Sequence, residues 1–213
     1  ISFFPVNYPT GHGIHAFYPA ITKQQINELE NELETFHPTL PTILVSHFSY
    51  FSIFPKAKSS KGQTFKQILN NPSYRIMAYL SAHSHPYKHE SIHHGQQVEI
   101  TLTPLKTDDL FGIVTIDNEE RLGYTPVHLN QASIAAVTYP IDDRYATRVY
   151  TETSFDIRLI AFGPEMSRFK VSGDVDGYLH KQMDLEEGVS LYSMHVNDLP
   201  SGHHFIRIEG DYN

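Results

Sequence analysis

Ile76-Met77-Ala78-Tyr79-Leu80-Ser81-Ala82-His83-Ser84-His85-Pro86 is the stretch on which the reading of the first half of the chain turns. Its first five residues form a continuous apolar run, the pattern of a strand buried on both faces. Pro86 closes it, since proline has no N–H for a sheet ladder. His83 and His85 are two residues apart, so in extended chain both imidazoles point to one side. Just upstream, Phe65, Ile68 and Leu69 predict a short helix near 64–70. Before that, Thr42-Ile43-Leu44-Val45 predicts another buried strand, with His47 just past its end. The unit is strand, helix, strand, with histidines at both strand ends. In open α/β sheets the carboxyl ends of strands are where sites form.

Further upstream, Ile26, Leu29, Leu33 and Phe36 recur at intervals of three and four and predict an amphipathic helix over 22–36. Thr22 and Gln25 have capping-box spacing at its start, and Pro38 and Pro41 stop it. Ile1-Ser2-Phe3-Phe4-Pro5-Val6 reads as the inside of a strand, which leads to the expectation that Ile1 lies mid-domain. After Pro86 the texture changes to β. Strands are predicted at 97–103, 110–117, 122–128 and 133–139, with a hairpin loop at Asn118-Glu119-Glu120-Arg121. The polar stretch from Pro140 to Tyr150 reads as a linker, which divides the chain into 1–142 and 143–213. In the second part, short strands with regular turn signals predict a small Ig-like β-sandwich.

Composition removes several function classes. Hydrophobic residues make up 40 % and charged residues 19 %, as in a folded globular chain rather than a disordered one. The net charge of −8 and the scattering of 16 basic residues exclude a general nucleic-acid role, because phosphate backbones need clustered Lys and Arg. With no cysteine, a disulfide framework, a thiolate zinc site and a cysteine nucleophile are all excluded.

His47, His83 and His85 are the candidate metal ligands, since neutral imidazole suits zinc and iron and tolerates manganese. The chain holds 14 histidines, so about one H-x-H pair arises by chance. His93-His94 and His203-His204 show how readily histidines adjoin here, and both pairs read as solvent-facing loop residues. Position at strand ends, rather than spacing, is what raises His83 and His85 above that background.

Ile43-Leu44-Val45-Ser46-His47 and Tyr79-Leu80-Ser81-Ala82-His83-Ser84-His85 resemble the late histidine motifs of the calcineurin-like metallophosphoesterases. The β-rich tail extends the resemblance toward the transmembrane protein 62-like branch of that family. It carries Leu110-Phe111-Gly112-Ile113-Val114-Thr115-Ile116-Asp117, Ser154-Phe155-Asp156-Ile157-Arg158-Leu159 and Leu199-Pro200-Ser201-Gly202-His203-His204. The resemblance implies an α/β fold in which residues 1–142 are the C-terminal half of a four-layer αββα phosphoesterase sandwich. Residues 143–213 would be the Ig-like β-sandwich that follows it.

The same resemblance implies a site of two divalent metal ions, manganese, iron or zinc, with His47 and His83 on one and His85 on the other. Such a pair clamps a phosphoryl group and lowers the pKa of a bridging water. It further implies a phosphate-ester substrate and a membrane-associated protein on the lumenal or extracellular face, attached through segments outside this chain. The family's acidic motifs, D-x-H, G-D-x-x-D and G-N-H-D/E, do not occur in these residues. Three neutral imidazoles cannot neutralise two divalent ions. The expectation is therefore a fragment that is inactive alone and needs the missing N-terminal half of the same lobe as its partner. The alternative is a pseudo-phosphoesterase that serves as an interaction scaffold, with a protein partner in place of a substrate.

Overall fold

The computed structural model describes residues 2–6, 20–35, 41–53, 57–82, 88–92, 97–102, 105, 109–131, 133–146, 151–163 and 168–211. They fall into two compact units, Ile1–Asp108 and Asp109–Asn213.

The first unit contains β1 (Ser2–Val6), α1 (Lys23–Thr35), β2 (Thr42–Ser46), α2 (Phe65–Leu69), β3 (Ile76–Ser81), β4 (Lys88–Ile92) and β5 (Gln97–Thr101). Its sheet has the order β1-β2-β3-β5-β4. The first four of these run parallel and β4 is antiparallel to β5. Both helices start on capping boxes. The Thr22 N–H donates to Gln25 Oε1 at 2.9 Å and the Gln25 N–H returns a bond to Thr22 Oγ1 at 3.2 Å. Thr64 and Gln67 do the same for α2. Ile26, Leu29 and Leu33 of α1 and Phe65, Ile68 and Leu69 of α2 meet Leu44, Ile76 and Tyr79 of the sheet in one buried cluster. Both helices thus bury their apolar stripes in the same core.

The second unit contains β6 (Leu110–Ile116), β7 (Leu122–His128), β8 (Ile134–Tyr139), β9 (Phe155–Phe162), β10 (Arg168–Gly173), β11 (Gly177–Glu186), β12 (Val189–Val196) and β13 (Ile206–Asp211). β6 and β7 form a two-stranded ribbon, and the others form one antiparallel sheet of order β13-β10-β11-β12-β9-β8. Ile157, Leu159, Phe169, Val171, Leu179, Tyr192 and Val196 bury one face of it. The ring centroids of Phe169 and Tyr192 meet edge to face at 4.8 Å.

The expected α/β architecture, half of an αββα sandwich followed by a small Ig-like sandwich, is corrected. Strand predominates, at 49 % against 16 % helix, and antiparallel pairing accounts for the whole second unit. An αββα sandwich needs two sheets, each covered by its own helices. The first unit presents one sheet, and α1 and the five-residue α2 share one core beside it. In the second unit β8 pairs with β9 from Ile134↔Phe162 to Tyr139↔Arg158. The boundary read at 142/143 thus falls between two strands of one sheet. The residues after β8, read as linker, carry Ile141 and Tyr145 into the interior, where Tyr145 meets Tyr124 edge to face at 5.2 Å.

Candidate functional site at the carboxyl ends of the parallel strands

The parallel register sets Val45 beside Leu80 and Ser81 beside Thr101. Ser46, Ser81 and Thr101 therefore end three adjacent strands, and all three are buried. His47 follows Ser46 directly, and its carbonyl accepts from the Ala82 N–H at 3.1 Å just past the end of β3. The ends of β2 and β3 are thus joined just past their last residues. His47 itself is exposed, with its ring edge to face with Phe48 at 5.0 Å. His83 and His85 lie outside the described residues.

Glu99 organises the interior behind this edge. It is 2 % exposed, pairs across the ladder with Tyr79, and its Oε1 accepts from the Tyr50 N–H at 2.8 Å and from Ser81 Oγ at 2.9 Å. Ser81 Oγ also lies 2.8 Å from Thr101 Oγ1. The charge of Glu99 adds to burial in raising the Tyr50 hydroxyl pKa, with burial the larger cause. One residue pair along, Gln97 Nε2 donates to the Leu69 carbonyl at 2.6 Å, at the end of α2. A buried polar ladder thus ties the strand ends to α2 and to the loop after β2.

That loop connects β2 to α2. In its described residues Tyr50 and Ile53 are buried, Tyr79 Oη donates to the Phe48 carbonyl at 2.9 Å, and Phe51 is 56 % exposed beside them. Lys66 sits 5.0 Å over the Tyr50 ring. The start of the loop is a fixed wall of the first unit with one aromatic side chain left outside.

The donor set tests what the edge can hold. Among the described residues no group of three His, Asp or Glu side chains is arranged for a metal ion. His47 offers one imidazole, and Glu99 spends one carboxylate oxygen on two interior donors. These residues do not by themselves fit two divalent ions, which need carboxylates to balance their charge.

Sequence reading missed Glu99, Ser81 and Thr101. The alternation of Gln97, Glu99 and Thr101 with Val98 and Ile100 is ordinarily the mark of a half-exposed strand, yet all five residues are buried. A carboxylate two places before a threonine at a strand end was the available signal. His203 and His204 are exposed, as expected; His93 and His94 lie outside the described residues. No helix among the described residues is long and apolar enough to cross a membrane. Comparison of the chain with protein-family models, curated proteins and solved structures finds no match.

Proposed function

We propose that this chain supplies the imidazole ligands, His47, His83 and His85, of a metal-dependent phosphoesterase that hydrolyses a phosphate ester. The observation that supports the reading is the bond between Ala82 N–H and the His47 carbonyl, because it holds the two histidine-bearing strand ends side by side. Carboxylate ligands come, in this reading, from sequence outside these residues, so the chain is inactive alone. Any membrane attachment likewise comes through segments outside it.

Titration of the chain with Zn²⁺ or Mn²⁺ by calorimetry tests this without relying on turnover. Binding is expected to weaken at least tenfold in His83→Ala and to vanish in the variant lacking all three histidines. Hydrolysis of a generic aryl phosphate is expected to stay at background throughout. Metal binding that is unchanged in the triple variant refutes the assignment, since the other histidines then account for it.

A second reading, a non-catalytic interaction scaffold, is favoured by a separate observation. The second unit exposes Met183 and Leu185 on β11, at 54 % and 45 %.

A further inference from the structure

β13 ends the six-stranded sheet, and its inner edge is fully used. It pairs with β10 from Ile206↔Gly173 to Asp211↔Arg168 with no register shift. The Asp174 N–H donates to the Phe205 carbonyl at 2.9 Å, which fixes the phase of that ladder. Arg207 and Glu209 therefore exchange backbone bonds with Ser172 and Lys170. The N–H and C=O groups of Ile206, Ile208 and Gly210 point the other way. Among the described residues no strand lies along that outer edge.

The two ends of the sheet are finished differently. β8, at the opposite end, carries a register shift between Val137 and Tyr139, is followed by Pro140, and has the β6–β7 ribbon against it. Bulge, proline and cover are the devices that keep an edge from pairing. β13 has neither bulge nor proline. Ile206 and Ile208 pack against the core of the second unit yet stay half-buried, and Phe205 just before them is 69 % exposed. The apolar row of this sheet is unfinished at the β13 margin.

We infer that the outer edge of β13 is a homodimer interface, pairing antiparallel with β13 of a second copy about a two-fold axis at Ile208. Phase and charge together select this occupant. In that register Ile208 stands opposite Ile208, Ile206 opposite Gly210, and Arg207 opposite Glu209. Ile206, Ile208 and Gly210 are the residues whose backbone groups point outward, so they form the hydrogen-bonded pairs. Arg207 and Glu209 fall at the other positions, where facing side chains come closest. Within one chain Arg207 Nη2 meets Glu209 Oε1 at 2.6 Å, so both charges lie on one face. A second copy answers each with its opposite, and does so twice because the interface is isologous. On the other face, Ile206 and Ile208 of both copies continue one apolar row. An unrelated strand satisfies the backbone alone and leaves both charges unanswered. The inference is independent of the histidine reading, since it uses only the second unit.

Sedimentation equilibrium of the full chain is expected to show a monomer–dimer equilibrium. Arg207→Glu and Glu209→Arg should each weaken the dimer by about tenfold, because each sets like charges opposite one another twice across the axis. The double variant Arg207→Glu/Glu209→Arg exchanges the charges and should recover it. These side chains are exposed, so the charge variants should keep the thermal transition of the monomer. Gly210→Pro removes an N–H that points away from β10, so it should abolish the dimer while the monomer stays folded. In hydrogen exchange, the Ile206, Ile208 and Gly210 amides should gain protection as concentration rises. Those of Arg207 and Glu209, bonded to β10, should be protected throughout. A chain that stays monomeric, a dimer indifferent to the charge reversals, or one that the double variant fails to restore overturns the proposal. So does concentration-independent protection of the three outward amides, which would mean that another segment of the chain covers the edge.

Discussion

The backbone N–H of Ala82 donates to the His47 carbonyl oxygen at 3.1 Å, joining the first residues beyond two parallel strands that are separated by α2 in sequence. That bond extends the β2–β3 ladder, which starts from Thr42 beside Ile76, two residues past its last paired residues Val45 and Leu80. His47 and Ala82 are neighbours because parallel pairing aligns the ends of β2 and β3, whatever occupies the loop between them.

Glu99 holds the interior of that edge, so Glu99→Ala should destabilise the first unit by about 3 kcal/mol, leaving the Tyr50 N–H and the Ser81 hydroxyl without their acceptor. Glu99→Gln keeps an acceptor oxygen and should cost less than half as much. Urea denaturation of the three proteins, monitored by tyrosine fluorescence, gives the comparison. Equal loss in both variants would show that charge, rather than the acceptor, is what matters.

Asp117 lies between two guanidinium groups, with Arg121 Nε at 2.6 Å and Arg158 Nη2 at 3.1 Å. Arg121 stacks 3.8 Å over the Tyr139 ring, so the β6–β7 turn is fastened to β8 and β9. Burial works to raise the Asp117 pKa, but hydrogen bonds from the Arg121 backbone and side chain outweigh it and hold the carboxyl below its ordinary value. Asp117→Asn should cost about 3 kcal/mol at neutral pH, because Arg121 stays buried with its charge poorly matched. A depressed native pKa gives stability that is complete above the unfolded value of about 4 and is lost as pH falls through the native one. The gap between wild type and variant should therefore close in acid. Thermal melts across that range measure it.

Tyr74 donates to Glu34 at 3.2 Å, and burial, followed by that bond, pushes its hydroxyl pKa up to about 12. The associated stability is complete below the unfolded tyrosine value of about 10 and is lost as pH rises through the native value. The ion pair of Lys61 with Glu34 weakens in the same direction, because the Glu34 hydrogen bond raises the Lys61 pKa. Tyr74→Phe should show a shallower alkaline loss between pH about 10 and about 12 while retaining the part due to Lys61. An unchanged slope in urea midpoints would count against the assignment.

Gly173 has φ of +112°, and a Cβ added there would meet the Phe205 carbonyl oxygen at 2.2 Å. Both conditions oppose any side chain, the first by strain and the second by a backbone clash. Gly173→Ala should lower stability by about 2–4 kcal/mol and loosen the β10–β13 pairing at Gly173↔Ile206. Hydrogen exchange of the β13 amides localises the effect.

Much of the local structure was legible in the chain itself. Thr22 with Gln25, and the stripe of Ile26, Leu29 and Leu33, specify a helix because capping and a 3.6-residue period are properties of neighbouring residues. The apolar runs at 42–45 and 76–80 specify strands for the same reason, and His47 at a strand end follows from them. Which strands pair was not legible. Val137 and Leu159 meet across a linker-like polar segment, and Tyr145 within that segment is buried, so the break in composition marked no break in the fold.

The amino-acid sequence by itself determined the two helices, the buried strands at 42–45 and 76–80, and the presence of imidazoles after those two strands. Those follow from torsional preference and periodicity along a few residues. Tertiary structure alone decided that β8 joins β9 and that the strand ending at Thr101 carries a buried Glu99 instead of a solvent-facing one. Each of these depends on contacts between residues far apart in the chain. Register and burial come from the packed whole, and no local pattern encodes them.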